Sequence, residues 1–565
     1  MQYISTRNTE KTFSFKDVFL KGLASDGGLY VPKHIPTYTS KDLEKLRKLS
    51  YEELAAKIIF DFCSDEFTES EIKDLVRKSY KNFRVSDVVS IRRIGDINLL
   101  ELFHGPTLAF KDIAMQVIGN MYEAILQKNN FKINIVVATS GDTGAAAISA
   151  IKERKNMKIF VLHPKNKVSK TQRKFMTTVT SKNVFNIALE GNFDDCQKFV
   201  KDMFANENFR TSINMSGVNS INWSRIIFQI VYYFFSYFKI CTSNEKINFS
   251  VPTGNFGDIY AGYVAKKMGL PINKLIIATN KNDILKRLVK TGYYKPLKVE
   301  HTLSPSMDIQ VASNFERLIF DVSSCSSEKT INFMNDLKVK GEFKLEKQEL
   351  SKIRENFLSD SLSEKETKQT IKDVYNNYGI LVDPHTAIGI GVVNKIALEG
   401  ATAVLATAHP SKFSEVVMEV TNVNPELPED LKNILNDKEK YDDLPKDTKK
   451  RFYNHIRSIT KGSDLDGLPL KDRIKGLRGR IVDFMTGGDV ALVNSIESAE
   501  DYPEWAAEHL RDLGFGETDL LIASTEGGET PSVLGALEEA ANISDRQQYL
   551  TYCNPDHTLE NIERS

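Results

Sequence analysis

Cysteine is scarce in this chain. Its 565 residues include five cysteines, which are widely spaced and form no CxxC pair. This usage argues against a disulfide framework and against a cysteine-ligated zinc site, and it is typical of reduced thiols in the cytosol. The nine histidines show no metal-ligand spacing, and no HExxH motif is present. We therefore expect a cytoplasmic protein without a bound metal.

Long apolar segments are lacking as well. The first residues, MQYISTRNTEKTFSF, contain no apolar core such as a secretory signal needs. The most apolar run, IIFQIVYYFFSYF at 226–238, is shorter than the roughly 20 residues that span a bilayer, and Gln229 interrupts it. We expect this run to form a buried helix, and we expect no contact with membranes.

The chain as a whole has no excess of charge, but its charges are unevenly distributed. The chain holds 75 basic and 75 acidic residues, which gives no indication of nucleic-acid binding. From Lys471 to the last residue, however, 19 acidic residues stand against 8 basic ones. The composition therefore changes near residue 470, and a chain of this length is expected to form two to four domains.

From about residue 99 to 425 the sequence shows a repeated strand–loop–helix pattern. Short runs rich in β-branched residues alternate with helical stretches, as in INIVVA (133–138), KIFVL (158–162), INFSV (247–251) and AVLAT (403–407). Such alternation predicts an α/β fold with a parallel sheet and helices on both faces. Ligands bind such sheets at the carboxyl ends of the strands. Residues 1–98 instead alternate turns with amphipathic helical stretches.

Two glycine-containing loops follow these strands. TSGDTG (139–144) and PTGNFGD (252–258) each open a predicted helix. Backbone N–H groups in such a turn can hold a phosphate or another anion at the helix start. The alternative is a plain turn, with Ser140 or Asp142 capping the helix. Neither loop has the GxxxxGK[ST] form, and GxGxxG is absent, so nucleotides are not indicated.

Lys111 lies where a loop becomes a helix, within HGPTLAFKDIAMQVIGNMYEAIL (104–126). Most of its neighbours are apolar. A lysine in such a setting loses hydration of its charged form, so its pKa falls and its amine can attack an aldehyde. The alternative is a lysine whose ammonium group reaches solvent from the helix start. The residues alone thus indicate an α/β enzyme for a phosphorylated ligand and leave open whether it uses a Schiff base.

The chain up to about residue 455 resembles the threonine synthases, which are pyridoxal-phosphate enzymes of the tryptophan-synthase-β fold group. Nine segments carry the resemblance in family order: GLASDGGLYVP (22–32), ELFHGPTLAFKD (101–112), ATSGDTGAA (138–146), NSINWSR (219–225), PTGNFGDIYAG (252–262), ATNKNDIL (278–285), LSPSMDI (303–309), DPHTAIG (383–389) and TAHPSKF (407–413). The resemblance implies a two-lobed fold and conversion of O-phospho-L-homoserine and water to L-threonine and phosphate. This lyase reaction of threonine biosynthesis is a γ-elimination followed by a β-addition, for which the cofactor stores electrons.

The resemblance also assigns cofactor contacts. It implies that Lys111 forms the Schiff base with pyridoxal 5'-phosphate and then moves protons at the α and β carbons of the substrate. It puts the cofactor phosphate at the GNFGD turn, which consists of Gly254, Asn255, Phe256, Gly257 and Asp258. It puts the hydroxyl of Thr407 at the pyridine nitrogen, where a neutral group would leave that nitrogen largely unprotonated.

The substrate carboxylate is implied to lie at the TSGDTG loop, on Ser140, Gly141, Asp142 and Thr143. A carboxylate at position 142 would repel the substrate, so Asp142 must be turned away, paired, or placed near the cofactor.

The candidate for the substrate phosphate is Arg225, with Ser220 and Asn222, because a guanidinium can bind it through two hydrogen bonds. A surface ion pair is the alternative for Arg225, and Lys165 is a weaker candidate for the phosphate. His104 is expected to fix the Gly-Pro turn rather than to act as a base.

Residues 476–565 resemble a different family. GGDVALVNSIESAED (487–501), DLLIASTEGGETPSVLGAL (519–537) and TYCNPD (551–556) are similar to parts of the sugar-phosphate isomerase (SIS) domain of N-acetylmuramic acid 6-phosphate etherases and glucokinase regulators. The resemblance implies a sugar-phosphate site at Ser524, Thr525, Thr530 and Ser532, and it matches Glu500 to a catalytic glutamate of the etherases. The opening half of that fold has no counterpart. We therefore expect a partial segment without etherase activity, either regulatory, dimerising or the result of a gene fusion.

The expected organisation has five segments. They are an N-terminal subdomain (1–98), a catalytic core of two α/β lobes (99–425), a helical tail of the synthase unit (426–460), a linker (461–475) and the partial SIS-like segment (476–565). Two alternatives to a threonine synthase stay open. One is another pyridoxal-phosphate lyase or dehydratase of the same fold, and the other is a non-catalytic protein whose tail binds a sugar phosphate.

Overall fold

The computed structural model describes residues 1–243, 245–396, 398–444, 456, 503–512, 515, 521–525, 531–544 and 549–552. The chain divides into two units, Met1–Asp447 and Thr448–Ser565. In the described part of the chain, no helix is long and apolar enough to cross a membrane.

The first unit begins with a small sheet and a helical layer. Its elements are β1 (Tyr3–Ser5), β2 (Asn8–Phe13), α1 (Phe15–Lys21), β3 (Tyr30–Pro32), α2 (Ser40–Leu46), α3 (Tyr51–Cys63) and α4 (Glu69–Tyr80). The three strands are antiparallel in the order β2–β1–β3. Helices α2 and α3 are separate, because Ser50 and Glu53 make a capping box that starts α3.

A six-stranded sheet forms the larger lobe. Its strands are β4 (Ser90–Ile94), β5 (Ile97–Glu101), β10 (Ile247–Pro252), β11 (Ile272–Thr279), β14 (Phe357–Ser361) and β15 (Ala401–Ala406). Their order is β14–β11–β10–β15–β5–β4, and all neighbours are parallel except the β4–β5 hairpin. The predicted parallel sheet is confirmed, and the ends of β10 and β15 carry the GNFGD turn and Thr407 on neighbouring strands.

A second, five-stranded parallel sheet forms the other lobe. Its strands are β6 (Ile133–Ala138), β7 (Met157–Pro164), β8 (Val184–Leu189), β9 (Met215–Ser216) and β16 (Asp442–Leu444), in the order β16–β8–β7–β6–β9. The helices that accompany it are α5 (Lys111–Asn129), α6 (Asp142–Ile151), α7 (Lys170–Thr177), α8 (Phe193–Ala205) and α9 (Glu207–Ser212). The TSGDTG loop follows β6 at its carboxyl end.

The first unit also contains further helices and two short strands. They are α10 (Trp223–Ile240), α11 (Gly257–Lys267), α12 (Ile284–Thr291), β12 (Tyr293–Tyr294), α13 (Phe315–Val322), α14 (Ser327–Lys340), β13 (Phe343–Lys344), α15 (Lys347–Asn356), α16 (Glu364–Tyr378), α17 (Pro384–Ile396), α18 (Ser414–Thr421) and the 3₁₀-helices Pro305–Met307, Pro410–Phe413 and Glu429–Leu435. The apolar run 226–238 lies in α10 and is buried along its whole length, so the buried helix predicted there is confirmed.

The second unit is described in four elements. They are α19 (Pro503–Asp512), β17 (Ile522–Thr525), α20 (Pro531–Ile543) and β18 (Tyr549–Tyr552). Strand β17 pairs with β18 in parallel. Strand β17 and the first half of α20 lie within the segment DLLIASTEGGETPSVLGAL (519–537). Glu500 and Thr530 and the side chains of Ser524, Thr525 and Ser532 lie outside the described residues.

Candidate active site

Lys111 is the first residue of α5, and its side chain is buried, with 9% of the residue exposed. The loop before it is anchored by the residue after it. The carboxylate of Asp112 accepts hydrogen bonds from the backbone N–H and the hydroxyl of Thr107, both at 2.7 Å. Gly105 is needed at this turn, because an added Cβ would lie 2.4 Å from the Cβ of Asp112. These contacts fix where the lysine enters the helix.

Charged groups from four elements surround the Lys111 amine. Burial lowers its pKa, and the positive charges of Lys412 and Arg225 lower it further, while Asp142 opposes them. The net pKa of Lys111 is therefore below its ordinary value. Arg225 and Lys111 also act on Asp258, so these side chains form one electrostatic cluster. A buried amine with a lowered pKa is the group that can act as a nucleophile or a base.

Asp142 is paired rather than turned away from the site. Its Oδ2 lies 3.3 Å from the Nζ of Lys111, and its Oδ1 lies 2.7 Å from the Nζ of Lys412. Gln172 donates a further hydrogen bond to Oδ1 at 2.9 Å. Burial alone would raise the pKa of Asp142, but Lys412 and Lys111 outweigh it and hold the pKa well below its usual range. The carboxylate is thus engaged, and only the backbone of residue 142 is left for a substrate anion.

The GNFGD turn connects β10 to α11. Phe256 has a left-handed backbone, with φ 64°, and its ring is buried against Phe315 and Phe357. The N–H groups of residues 254–257 find no acceptor among the described residues. A Cβ added to Gly254 would lie 2.6 Å from the carbonyl oxygen of Ser306, so the turn can carry no side chain there. Free N–H groups at a helix start are the donors that bind a phosphate.

Asp258 is buried in the first turn of α11. Tyr232 donates to its Oδ1 at 2.5 Å, and Tyr233 donates to the same atom at 3.0 Å. Its Oδ2 has no hydrogen-bond partner in the part of the chain that the structure describes. Burial raises the pKa of Asp258 to about 6, although both tyrosines, Lys111 and Arg225 act against it. The carboxyl group lies at the helix start where the cofactor phosphate is predicted to bind. The charge of Arg225 acts on it, but the two groups do not form a close ion pair.

The TSGDTG loop leads into α6. The cap is made by Thr139, whose hydroxyl accepts hydrogen bonds from the N–H groups of Gly141 and Gly144, both at 2.9 Å. Capping by Ser140 or Asp142 is therefore not what starts this helix. The N–H groups of Ser140, Asp142 and Thr143 have no acceptor among the residues described. This loop thus presents three backbone donors, which suits a carboxylate.

Arg225 lies in the first turn of α10 and is 4% exposed. The surface ion pair considered for it is ruled out by this burial. No described residue accepts a hydrogen bond from its Nε. Burial lowers the pKa of Arg225 to about 10, and Asp258 and Tyr232 only partly oppose this. An unpaired buried guanidinium of this kind is the expected receptor for an anionic ligand.

Asn222 has a structural role that the sequence pattern did not indicate. It is the N-cap of α10, and its Oδ1 accepts from the N–H of Ser224 at 3.0 Å. Its Nδ2 donates to the carbonyl of Phe19 at 3.0 Å. The side chain therefore starts the helix that carries Arg225 and ties it to the N-terminal subdomain, instead of being free for a substrate.

Asn314, at the start of α13, joins two of the predicted loops. Its Nδ2 donates to the carbonyl oxygens of Ser220 and Asn255, both at 3.2 Å, and its N–H donates to Asn255 at 3.0 Å. Arg317, one turn later, donates to the carbonyl of Ile221 at 2.6 Å. The segment before Arg225 and the GNFGD turn are therefore held side by side.

Thr407 follows β15 and is brought beside the Lys111 loop. Its carbonyl accepts a hydrogen bond from the N–H of Phe110 at 2.9 Å. The hydroxyl of Thr407 is not used by any described residue and is available for a ligand. Thr407 thus lies beside the loop of Lys111, and Asp142 of the TSGDTG loop lies beside Lys111 itself. The GNFGD turn is linked to the same lysine through the charge of Asp258.

Two side chains considered in the sequence lie elsewhere. The Nε2 of His104 lies 2.8 Å from the hydroxyl of Ser90 and 3.3 Å from Glu101, so it ties the loop to the β4–β5 hairpin. Lys165 pairs with Asp443 at 3.2 Å and lies outside the Lys111 cluster. In the described ranges, no group of three histidine, cysteine or acidic side chains could hold a metal ion.

Sequence reasoning missed Lys412, Gln172 and Asn314 as parts of the site. Lys412 lies in TAHPSKF, and Asn314 lies a few residues past LSPSMDI, so both are in or near segments that resemble a family. Nothing local distinguishes these residues, because each acts through contacts with residues far away in the chain. The signal that could have found Lys412 is its position in a segment that also contains Thr407.

Comparisons with known proteins agree with this geometry. Three family profiles match the chain, described as the threonine synthase N terminus over residues 2–80, the pyridoxal-phosphate dependent enzymes over 93–337, and the threonine synthase C-terminal region over 386–456. The last of these matches ends 109 residues before the end of the 565-residue chain, so the matches do not reach residues 476–565.

Individual relatives match over most of their length. A threonine synthase of Pseudomonas aeruginosa is 43% identical over 454 residues, which is 80% of this chain and 97% of that protein. A threonine synthase of Saccharomyces cerevisiae is 41% identical over 482 residues, or 78% of this chain and 94% of that one. The crystal structure of a threonine synthase from Brucella melitensis with bound PLP has a TM-score of 0.79 and 43% identity, covering 82% of this chain and all of that one.

Proposed function

Because the chain belongs to the threonine synthase family, we propose that it converts O-phospho-L-homoserine and water to L-threonine and phosphate at the Lys111 cluster. It is a pyridoxal-phosphate-dependent enzyme, as the profile match and the PLP-bound relative indicate. The observation that supports the proposed site is the buried Lys111 amine, whose pKa is lowered, between two loops that present free backbone donors.

The residues present fit pyridoxal phosphate. The GNFGD turn offers free N–H groups to a phosphate. Position 254 must be glycine, because a side chain there would clash with the backbone of Ser306. Lys111 supplies the amine that holds the aldehyde, and Thr407 supplies a neutral hydroxyl for the pyridine nitrogen. The other residues of the turn, Asn255, Phe256, Gly257 and Asp258, shape the cradle. When bound, the cofactor withdraws electrons from the substrate carbon chain while phosphate leaves.

We propose that the amine of Lys111 moves protons at the α and β carbons of the substrate. The lowered pKa of Lys111 supports this role, because it makes the neutral amine, the form that accepts a proton, easier to reach than in an exposed lysine. Asp142 and Lys412 keep a fixed pair of opposite charges beside it.

The two ends of the substrate are proposed to bind at different loops. The N–H groups of Ser140, Asp142 and Thr143 bind the carboxylate. Gly141 allows this turn, because its φ of 136° is one that favours glycine. Arg225 binds the phosphate, because it is the buried guanidinium that has no described acceptor at its Nε. Ser220 is positioned by Asn314 beside the GNFGD turn, and Asn222 contributes by starting the helix that carries Arg225.

The function is tested with O-phospho-L-homoserine as substrate, by measuring released phosphate and formed threonine together. The full chain should form both in equal amounts, and Lys111→Ala should abolish the reaction. Lys128→Ala, at the other end of the same helix and paired with Glu71, is the matched control and should keep full activity. A protein that instead deaminates serine or threonine, without releasing phosphate, would be the alternative lyase or dehydratase.

For residues 476–565 we propose a partial SIS-like segment. Its support is the resemblance of three sequence segments, together with the strand–helix–strand order of β17, α20 and β18. Calorimetric titration of the full chain with fructose 6-phosphate tests it, and saturable binding that is unchanged by O-phospho-L-homoserine is the result expected. Absence of binding would leave no support for a sugar-phosphate site there.

We also propose the division into segments 1–98, 99–425, 426–460, 461–475 and 476–565, and a cytoplasmic location. The described cysteines support the location, because Cys63, Cys196, Cys241 and Cys325 are all free thiols. Fractionation of cells that express a tagged full chain tests it.

A further inference from the structure

Asp142 is shared by two lysines, and the two contacts are unequal. Lys412 lies 2.7 Å from its Oδ1, whereas Lys111 lies 3.3 Å from its Oδ2. Gln172 donates to the same Oδ1 as Lys412 does. The side of Asp142 that faces Lys412 is thus fully satisfied without Lys111. This inference rests on the proposed function, in which Lys111 is the amine that condenses with the cofactor.

Lys412 is built into the protein as a fixed charge. It is 1% exposed, and its Nζ donates to the carbonyl of Thr107 at 2.8 Å as well as to Asp142. It lies on the 3₁₀-helix Pro410–Phe413, whose start is capped by the Nδ1 of His409. A buried ammonium that is bound by two oxygen partners, one of them a carboxylate, is fixed in place.

Lys111 cannot remain the ammonium partner of Asp142 during the reaction. To condense with the aldehyde of a bound cofactor, the amine would have to be neutral, because its nitrogen would replace the carbonyl oxygen, which would leave as water. A buried carboxylate left without a positive partner is strongly destabilising. Asp142 therefore needs a second cation that takes no part in the chemistry.

We propose that Lys412 is a positioning residue for the reaction, the permanent counter-ion of Asp142 that frees the nitrogen of Lys111 for the cofactor. Lys412 acts through Asp142 and needs no contact with the substrate. It also holds the carbonyl of Thr107, and so the loop that carries Lys111.

The sign of its effect follows from all described charges that face Lys111. They are Asp142 on α6, Lys412 on the 3₁₀-helix, Arg225 on α10 and Asp258 on α11. Lys412 and Arg225 lower the pKa of Lys111, and Asp142 raises it. Removing Lys412 takes away a positive charge and leaves Asp142 to pair with Lys111 alone. Both changes favour the protonated nitrogen.

The test is a pH titration of the full chain loaded with pyridoxal phosphate, read from the absorbance of the bound cofactor, which reports protonation of the Lys111 nitrogen. Lys412→Met should move the midpoint up by about one pH unit or more, and Asp142→Asn should move it down. The double variant should fall between the two. Lys412→Arg, which keeps the charge, should stay within a few tenths of the unchanged protein.

Lys174→Met is the matched control, since Lys174 is another buried lysine and donates to the carbonyl of Asp437. It should not move the midpoint. If Lys412→Met does not fold, Lys412→Gln is titrated in its place. It is also neutral but keeps a donor for the carbonyl of Thr107, and it should give the same upward shift. A midpoint that Lys412→Met leaves unchanged overturns the inference. Failure of the unchanged protein to bind the cofactor on Lys111 would instead refute the proposed function.

Discussion

At the scale of single residues, substitution of Arg225 can show whether this residue binds a ligand or only stabilises the fold. Its guanidinium is buried, with no described acceptor at Nε, and such a group destabilises the ligand-free protein. We predict that Arg225→Met raises the KM for O-phospho-L-homoserine at least tenfold. Without phosphate, the same variant should unfold at a higher temperature, because its free energy of unfolding increases by roughly 1–3 kcal/mol.

Arg317→Met is the control for this prediction. Arg317 is also fully buried, but it donates to the carbonyls of Tyr30 and Ile221. Its loss should lower the midpoint, because those acceptors are left unsatisfied. A midpoint that falls equally in both variants would argue for a structural role of Arg225.

Asp258 predicts a pH dependence of stability. Its pKa is raised to about 6 from an unfolded value of 3.8, so the folded protein binds more protons between these values. The contribution of Asp258 to the stability of the cofactor-free chain should therefore fall as pH rises through this window and be constant above it. Asp258→Asn removes this loss, which amounts to at most about 3 kcal/mol. Urea unfolding at pH 4.5 and 7.5 measures this. The free energy of unfolding of the variant, relative to that of the unchanged protein, should be greater at pH 7.5 than at pH 4.5. An equal difference at both pH values would contradict this.

The burial of Lys111 could be predicted from its neighbours, since apolar residues precede and follow it in the chain. The pairing of Asp142 could be posed only as one of three options, because the choice depends on Lys412, which is 270 positions away. Charges contributed by distant segments leave no periodic signal. They are visible only once strands β6 and β15 have brought their loops together.

At the scale of elements, the GNFGD turn offers a matched pair of glycines. A Cβ on Gly254 would lie 2.6 Å from the backbone oxygen of Ser306. One on Gly257 would lie no closer than 3.2 Å to any atom, and that nearest atom belongs to the side chain of Asn314. We predict that Gly254→Ala weakens pyridoxal-phosphate binding at least tenfold, because the backbone must shift. Gly257→Ala should weaken it less. Fluorescence titration with the cofactor measures both, and an equal or reversed order would contradict the account.

Helix starts show where local sequence reasoning succeeds and where it stops. The buried helix at 226–238 was predictable because every residue in the run is apolar or aromatic apart from Gln229 and Ser236. The start of α6 was not, since Thr139, Ser140 and Asp142 can all cap a helix. The structure selects Thr139, because the side chain of Asp142 is drawn to two lysines.

At the scale of the whole molecule, residues 439–444 are bound to the five-stranded sheet lobe of the first unit. Strand β16 pairs with β8, and Glu439 pairs with Arg173 at 2.9 Å. We predict that a chain ending at residue 460 keeps turnover within about twofold, since deletion removes no contact named for the site. A chain ending at residue 436 should lose stability, because it lacks β16 and Glu439. Steady-state threonine formation and thermal unfolding measure both. Loss of activity in the chain ending at residue 460 would show that residues 461–565 are needed.

The location of the cofactor is the claim on which the rest depends. The full chain is loaded with pyridoxal phosphate, reduced with borohydride, digested and mapped by mass spectrometry. We predict a single phosphopyridoxyl group on Lys111, and none on Lys412 or Lys165. A label on another lysine, with Lys111 unmodified, would contradict the account.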